Sequence, residues 1–377
     1  MNPAQGGVVE AVNQAALSFN NEKHQMDVLC LDNPSSAWVI ENNSYTVHAI
    51  GEGKTSYGLH LTYLAWLWKN AKSYDVVVID GLWQFLVLAG YILKWLKTPY
   101  CVFTHGMLDP YFNKDKLKYI KKLPFWFSSE RNVIAMSDAV IFTCQEESEL
   151  AERSFPYYRA TPKIATLGIE ANAGDKEGLT ATFLNEFPEL IDKCFTVFLS
   201  RIHEKKGIDI LIDALGQLKN LPDDFMLAIA GPDSNDLQFK LNKQIEALGL
   251  TNRVVWLGML NGDVKWGAYH AADVFILPSH QENFGIVVAE ALSTATPVLI
   301  TNKVNIWREI DTAGAGFVEN DDVDGIKTLL ERWLSLVDED KQVMAKNASL
   351  CYENNFSIES AVQGLEKVLL GVVERKL

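Results

Sequence analysis

The chain has 377 residues and, with 34 basic and 48 acidic side chains, a formal net charge of −14 at pH 7. This length is sufficient for two domains with separate cores, and the acidic balance disfavours nucleic acid as a partner. The five cysteines are scattered, without a CxxC pair or metal-ligand spacing, which predicts a reducing compartment and no structural zinc.

No targeting or membrane-spanning segment is recognisable in the sequence. The first twenty residues lack a cationic start followed by a long apolar run, as a signal peptide would have. The longest apolar stretch, residues 82–96, contains Gln84 and Lys94 and is shorter than the ~20 residues of a membrane span. We therefore expect a cytoplasmic protein in which residues 82–96 form a buried helix.

The first half of the chain alternates strand and helix patterns. Apolar runs that predict strands lie at residues 27–31, 46–50, 75–79, 100–104, 139–143 and, with the weakest pattern, 163–166. Helical patterns lie between them, and such alternation is typical of an α/β domain with a parallel sheet.

Residues 111–131, from Tyr111 to Arg131, are basic within an acidic chain. Six lysine and arginine side chains face only Asp115 and Glu130, for a net charge of +4, and six aromatic residues are interleaved with them. Basic residues among aromatics favour an anionic membrane surface or a lipid-pyrophosphate acceptor. A solvated helix with its aromatic side chains in the core accounts for the same pattern, so both interpretations stay open.

A candidate phosphate site begins the second half. The strand pattern at residues 195–200 leads directly to Arg201, and Lys206 and Gly207 precede an amphipathic stretch. The start of a helix offers free N–H groups and a positive dipole end to an anion. Arginine adds a planar bidentate partner for phosphate and lysine a mobile point charge. The alternative is a basic loop exposed to solvent.

A second candidate lies about eighty residues further on. Glu282 and Glu290 flank a Phe284-Gly285 pair between two apolar runs, which predicts a strand, a loop and a helix starting near Phe284. The N–H groups of Phe284 and Gly285 can bind phosphate, whereas the two acids can accept hydrogen bonds from sugar hydroxyls. Two solvated acids at a helix end would give the same spacing.

Together, the Arg-x4-Lys-Gly motif at Arg201 and the glutamate pair resemble the retaining glycosyltransferases of family 4. The resemblance is strong over residues 195–310 and weaker through 74–83 and 99–110. It implies an α/β fold of GT-B architecture, with two facing Rossmann-like domains and an interdomain cleft. The implied divisions are an acceptor-side domain at 1–167, a linker at 168–190, a donor-binding domain at 191–355 and a C-terminal helix at 356–377 that crosses back to the first domain.

The resemblance also implies residue roles. Those that would bind the donor diphosphate are Arg201, Lys206, Gly7, Phe284 and Gly285. Glu290 would bind the ribose, while Met259 and Leu260, in a loop after a strand, would hold the base. Two further residues, Glu282 and His105, would contact the transferred sugar at the reacting centre. No metal site and no cofactor is implied beyond the donor, a UDP- or GDP-linked sugar.

The implied function is a metal-independent, retaining hexosyltransferase that acts on a hydroxyl of a polysaccharide or lipid-linked glycan, with peripheral membrane attachment as one option. No carboxylate is evidently placed as a nucleophile, so retention would proceed by attack on the leaving group's own face. A catalytically silent sugar-nucleotide-binding subunit and a sugar-nucleotide 2-epimerase are the alternatives. The base, the hexose, the acceptor and the oligomeric state stay open.

The N-terminus departs from the family pattern. Family members open with an apolar strand that leads to a glycine-rich loop, and residues 3–8 resemble that loop with no strand before it. Loss of that strand would remove a buried neighbour from a parallel sheet. We therefore expect that Met1 is not the natural start or that upstream residues have been lost.

Overall fold

The computed structural model describes residues 1–2, 7–20, 23–42, 44–55, 57–233 and 236–376. The chain divides into two compact units. The first comprises Met1–Gly168 and Ile358–Leu377, and the second comprises Ile169–Ser357.

The strands of the first unit form two separate parallel sheets, β1-β2 and β3-β4-β5-β6. These strands are β1 (Val28–Cys30), β2 (Val47–Ala49), β3 (Val77–Asp80), β4 (Tyr100–Phe103), β5 (Ala139–Phe142) and β6 (Pro162–Ile164). Every one of the six predicted strands is present, although several are one or two residues shorter than the apolar run.

Helices of the first unit cover the sheets. They are α1 (Gly7–Phe19), α2 (Ala37–Ile40), α3 (Leu61–Asn70), α4 (Ala89–Leu96), α5 (Lys116–Phe125), α6 (Arg131–Met136), α7 (Gln145–Ala151) and the C-terminal α16 (Ile358–Val373). The single helix predicted for residues 82–96 is instead a 3-10 turn at Phe85–Leu88 followed by α4. None of the described helices is long and apolar enough to span a membrane.

Strand β4 is buried on both faces, as a central parallel strand must be. Successive side chains of a strand point to opposite faces, and Tyr100 and Val102 belong to one apolar cluster while Cys101 and Phe103 belong to another. Val368 and Val372 of α16 complete the second cluster. The C-terminal helix is therefore part of the core of the first unit.

The second unit has one continuous six-stranded parallel sheet in the order β12-β11-β10-β7-β8-β9. Its strands are β7 (Cys194–Leu199), β8 (Phe225–Ala230), β9 (Val254–Gly258), β10 (Val274–Leu277), β11 (Val298–Thr301) and β12 (Gly316–Glu319). The strand order reverses between β7 and β10. In such sheets ligands bind outside the carboxyl ends of the strands at this switch point.

Helices of the second unit are α8 (Lys176–Glu186), α9 (Ile208–Gly216), α10 (Leu237–Ala247), α11 (Gly262–Ala271), α12 (Ile286–Ser293), α13 (Trp307–Ala313), α14 (Val323–Leu334) and α15 (Asp338–Asn355). Helix α8 corrects the expectation that residues 168–190 are a linker. Its Leu179 and Phe183 are buried, and a Cβ on Gly267 of α11 would lie 2.2 Å from the Leu179 carbonyl oxygen. The glycines and charges of this segment concealed an apolar i,i+4 pair that packs on α11.

Candidate functional site

The loops after β7 and β10 lie side by side at the switch point of the second unit. The Lys206 ammonium contacts the Glu282 carboxylate, so the structure brings together two residues from the two sequence motifs. Lys206 is buried, and the Glu282 side chain is 24% exposed. Lys206 and Glu282 therefore form a charged surface that solvent reaches from the side of the glutamate.

Backbone contacts fix the two loops against each other. The His280 N–H donates to the Lys205 carbonyl oxygen at 2.8 Å, and the Ser279 hydroxyl donates to the same oxygen at 3.0 Å. Gly207 has φ +68°, and a Cβ there would lie 2.0 Å from the Pro278 carbonyl oxygen. Only glycine combines this left-handed conformation with such a close approach.

Arg201 differs from Lys206 in its surroundings. Its side chain is exposed, and no described residue forms an ion pair or hydrogen bond with it. Lys206 is thus held in place by the protein, while the Arg201 guanidinium keeps all of its donors for solvent or a ligand.

The start of α12 provides open backbone donors. The helix begins at Ile286, two residues after Phe284, because Gly285 has φ +76° and is left-handed. The N–H groups of Phe284 and Gly285 have no acceptor among the described residues. Phe284 itself is buried edge-on against Phe356, with ring centroids 5.6 Å apart, which anchors the loop that presents these donors.

Two side chains of helix α11 hold the Glu290 carboxylate in place. It accepts hydrogen bonds from the Lys265 ammonium at 2.8 Å and the Tyr269 hydroxyl at 2.9 Å. Burial and the neighbouring Glu290 carboxylate raise the pKa of Tyr269 well above its ordinary value, so the hydroxyl stays a donor. No sequence motif indicated Lys265 or Tyr269, although their i,i+4 spacing on a helix was a usable signal.

The predicted base-binding residues have different surroundings. Met259 is 64% exposed, whereas Leu260 is buried. Both follow β9, which is the edge strand of the sheet beyond β8. An exposed thioether beside a buried leucine gives this loop an apolar surface.

His105 lies two residues after the end of β4 in the first unit, with φ +46°. Its ring contacts the Asp80 carboxylate, stacks on Phe103 at 4.1 Å between centroids, and is 4% exposed. Burial alone would lower the pKa of His105, but the Asp80 and Glu147 carboxylates outweigh it and raise the pKa above its ordinary value. The ring Nδ1 has no partner in the described part of the chain.

Glu147 of α7 fixes the backbone around His105. One carboxylate oxygen accepts from the Thr104 hydroxyl at 2.7 Å and the Gly106 N–H at 2.6 Å. The other accepts from the N–H and hydroxyl of Thr143, both at 2.7 Å. This buried acid therefore ties the ends of β4 and β5 together, and no sequence motif indicated it.

Two remaining expectations concern the N-terminus and metal. Residues 3–6 of the predicted glycine-rich loop lie outside the described residues, and Gly7 is the first residue of α1. Across the described ranges, no cluster of three or more His, Cys, Asp or Glu side chains is placed to hold a metal ion.

The basic segment 111–131 combines buried and exposed apolar groups. Trp126 is fully buried, and Tyr119 stacks on Phe155 at 5.3 Å. Leu117 and Ile120 of α5 are 72% and 59% exposed. Part of the aromatic content therefore belongs to the core, as one interpretation required, while α5 leaves two aliphatic side chains among its lysines in solvent.

Two protein-family models match the chain. Residues 184–350 match the model described as "Glycosyl transferases group 1", and residues 6–162 match the "Glycosyl transferase 4-like domain". The two matches together span most of the sequence and correspond to the two units in turn.

Two named relatives are similar to part of this chain. D-inositol 3-phosphate glycosyltransferase of Rhodococcus opacus is 28% identical over 252 residues, 63% of this chain and 54% of that protein. Lipopolysaccharide core biosynthesis mannosyltransferase LpsB of Rhizobium meliloti is 25% identical over 184 residues, 47% and 51% of the two chains. The chain thus spans about half the length of these relatives.

Solved structures match over nearly the whole chain. HepE of Anabaena in complex with UDP has a TM-score of 0.74 at 19% identity and covers 98% of this chain and 97% of its own. Sucrose-phosphate synthase of Thermosynechococcus elongatus has a TM-score of 0.69 at 17% identity, with 98% and 94% covered. At these identities the similarity establishes the fold, two parallel-sheet α/β domains of GT-B type.

Proposed function

We propose, from the premise that this chain belongs to the family 4 type of GT-B glycosyltransferases, that it transfers a hexose from a nucleoside-diphosphate sugar to a hydroxyl group. The observation that carries the proposal is the contact between Lys206 and Glu282 at the switch point of the second unit. It places a cation suited to phosphate directly beside an acid suited to sugar hydroxyls.

The diphosphate would bind between the cations and the start of α12. Arg201 is exposed with its donors free, and the N–H groups of Phe284 and Gly285 lack acceptors in the described chain. Donors that are already oriented toward a developing anion stabilise it without reorganisation. In this proposal Lys206 exchanges its contact with Glu282 for a phosphate oxygen, which frees the Glu282 carboxylate for the sugar.

Transfer would then break the bond between the anomeric carbon and the diphosphate oxygen. The electron pair leaves with the diphosphate, whose added charge Arg201 and Lys206 neutralise. The acceptor hydroxyl attacks from the face that the diphosphate vacates, and its proton passes to the departing phosphate oxygen. Because side-chain cations and backbone N–H groups neutralise the leaving group, no metal is required, and EDTA should leave turnover unchanged.

The donor is proposed to be UDP- or GDP-linked, and the acceptor a hydroxyl of a polysaccharide or lipid-linked glycan. The solved structure of HepE contains UDP, and the named relatives act on an inositol phosphate and on a lipopolysaccharide core. Glu290 would bind the ribose, because Lys265 and Tyr269 already fix its carboxylate. Met259 and Leu260 would contact the base, and Gly7 and His105 the donor from the first unit.

A thermal-shift panel of UDP-, GDP- and ADP-sugars tests the donor class. A ligand present at 100 times its dissociation constant stabilises the folded protein by about 2.7 kcal/mol. We expect a shift with one UDP- or GDP-sugar and a smaller shift with the other nucleotides. No shift with any of them would contradict the proposed donor site.

Incubation with the donor alone separates the enzyme classes. A transferase without its acceptor gives only slow hydrolysis to the free sugar and the nucleoside diphosphate. A 2-epimerase would instead give a new sugar-nucleotide, and a silent binding subunit would leave the donor unchanged. Either of the last two results would replace the proposed activity.

Peripheral membrane attachment through α5 is the second part of the proposal. Leu117 and Ile120 are exposed next to Lys118 and Lys121, which combines apolar contact with attraction to anionic lipid. Co-sedimentation with vesicles containing anionic lipid should exceed that with neutral vesicles and fall with salt. Leu117→Ser with Ile120→Ser should abolish it, whereas Leu350→Ser, at an exposed leucine of the second unit, should not.

A further inference from the structure

Asn261 is the only asparagine in the chain that is followed by glycine. It lies between β9 and α11, directly after Met259 and Leu260 and directly before Gly262, the first residue of α11. The amide nitrogen of a residue can attack the side chain of a preceding asparagine and close a succinimide ring. Whether it does so depends on the hydrogen bonds and the space around both groups.

The Asn261 side chain is exposed and unbonded. It occupies the N-cap position of α11, with φ −139° and ψ 161°, yet it forms no cap hydrogen bond to a described N–H. A capping side chain normally accepts from the second or third helical N–H, and such a bond would hold the carboxamide away from the reacting nitrogen. No other described residue bonds to this side chain. The Asn261 carboxamide is therefore free to turn toward the main chain.

The Gly262 amide nitrogen is accessible as well. Its N–H has no acceptor among the described residues, because the first N–H of a helix has no partner within the helix. Gly262 is exposed with φ +53°, and a Cβ there would meet nothing within 4 Å. Glycine also lacks a side chain that shields the nitrogen, and its backbone rotates most freely. Both reacting groups are thus unprotected.

Asn252, in the turn before β9, differs from Asn261 in the amide that follows it. Its side chain is also exposed, but the next residue is an arginine. The Arg253 N–H donates to the Leu250 carbonyl at 2.8 Å, and the Arg253 guanidinium donates to the Pro222 carbonyl at 2.7 Å. The nitrogen that would attack the Asn252 side chain is therefore bonded and flanked by a fixed side chain.

We propose that Asn261 is a site of spontaneous modification, at which the asparagine converts to aspartate and isoaspartate. The Gly262 nitrogen loses its proton to hydroxide and attacks the carbonyl carbon of the Asn261 side chain. A C–N bond forms there, the C–N bond of the carboxamide breaks, and ammonia leaves after it takes a proton from water. A water molecule then opens the succinimide at either of its carbonyls. The net reaction consumes water and releases ammonia, without an oxidant or reductant.

The two products differ in their effect on α11. Aspartate keeps the main chain and adds a carboxylate at the positive end of the helix, where it is stabilising. Isoaspartate routes the main chain through the side chain, so the carbonyl of residue 261, which accepts the Lys265 N–H at 3.4 Å, becomes a free carboxylate. Lys265 also donates to the Glu290 carboxylate at 2.8 Å. Isoaspartate therefore loosens the first turn of α11 at a residue that holds Glu290.

The experiment incubates the full chain at mildly alkaline pH, digests it at acidic pH, where ring closure is slow, and follows the peptides by mass spectrometry. The peptide with Asn261 should gain the mass of an amide-to-acid exchange at least about tenfold faster than the peptide with Asn252, because Gly262 leaves its nitrogen unshielded. Two products of equal mass should separate by chromatography. Equal rates at the two asparagines, or aspartate without isoaspartate, would overturn the proposal.

Variants at the two reacting residues locate the chemistry. Asn261→Ser keeps a capping residue but removes the carboxamide, so the mass change in that peptide should disappear. Gly262→Ala adds a Cβ in open space and should slow the conversion by about tenfold, because it shields the nitrogen. An undiminished rate in Gly262→Ala would overturn attack by this nitrogen.

Hydrogen exchange tests the effect on α11. After complete conversion, the Lys265 amide should exchange faster than in fresh Asn261→Asp, which carries the added charge on an unaltered main chain. Equal exchange in these two proteins would overturn the loosened first turn.

Discussion

The two units place their candidate residues at the carboxyl ends of very different sheets. In the second unit an unbroken six-stranded sheet presents Lys206, Glu282 and the open N–H groups at the start of α12. In the first unit the strands form two separate sheets, the His105 side chain is buried, and its Nδ1 has no hydrogen-bond partner among the described residues. The unpaired N–H groups of the second unit thus lie beside the charged Lys206 and Glu282 side chains, whereas the unpaired ring nitrogen of the first unit belongs to a buried histidine.

The phosphate site of the second unit should give the largest effect. Lys206→Ala or Arg201→Ala should lower turnover by about 10²-fold or more, as loss of one charge-stabilising donor does. Calorimetry with the nucleoside diphosphate should show weaker binding in both variants. Lys219→Ala, which removes an exposed lysine of the same unit, is the matched control and should retain full activity. Wild-type affinity in both test variants would remove the phosphate assignment.

The Glu147 carboxylate should stabilise the first unit through its buried hydrogen bonds. Glu147→Gln replaces an oxygen acceptor by an NH₂ group that faces donors, so at least one buried pair is lost, at a cost of about 1–3 kcal/mol. Urea unfolding should report this loss. Glu152→Gln, at an exposed glutamate one turn along, should leave the free energy of unfolding unchanged. An equal change in the free energy of unfolding of both variants would show that Glu147 does not hold the backbone around His105.

Local spacing in the sequence predicted some of the candidate site residues and not others, for a physical reason. Arg201, Lys206, Glu282 and Glu290 follow strands in short motifs, so local spacing was enough to propose their site. Glu147, Lys265 and Tyr269 act through contacts between distant elements, which spacing in one segment does not encode. Likewise, only the strand pairing shows that β1 and β3 belong to separate sheets.

Substitution of Glu282 and of Glu290 should affect ligand binding differently. If Glu290 binds ribose, Glu290→Gln should weaken the nucleoside diphosphate and the intact donor alike, by about 10- to 100-fold for a charged hydrogen bond. Glu282→Gln should spare the diphosphate and weaken the intact donor. Calorimetry with each ligand measures both effects. Equal loss of diphosphate affinity in the two variants would reverse the assigned roles.

His105 tests whether the first unit contributes to the reaction. His105→Ala should leave nucleoside-diphosphate affinity nearly intact and lower turnover per folded molecule by about three- to tenfold, the value of one neutral hydrogen bond. The alternative is a core histidine, whose loss would lower the melting temperature and reduce activity only with the folded fraction. Turnover per folded molecule near the wild-type value would exclude His105 from the site.

The smallest expected effect is on the pH dependence of stability. It is tested on one histidine–aspartate pair in each unit. The His105 side chain is 4% exposed and contacts Asp80, whose side chain is 30% exposed. In the second unit, His280 and Asp321 lie 3.2 Å apart and are each 30% exposed. The Asp80 and Glu147 carboxylates raise the pKa of His105 against the opposing effect of burial. The protonated ring therefore stabilises the folded state fully below the unfolded pKa of about 6.5. This contribution is lost as pH rises through the higher folded value.

Asp80→Asn should weaken this pH dependence, since it removes the partner that contacts the His105 ring. The free energy of unfolding of the wild type should fall more steeply above pH ~6.5 than that of the variant. Asp321→Asn should change the free energy of unfolding little, because water screens a pair of side chains that are each 30% exposed. Urea titrations at a series of pH values give both slopes. If Asp80→Asn matched the wild type, the Asp80 contact would not stabilise the imidazolium.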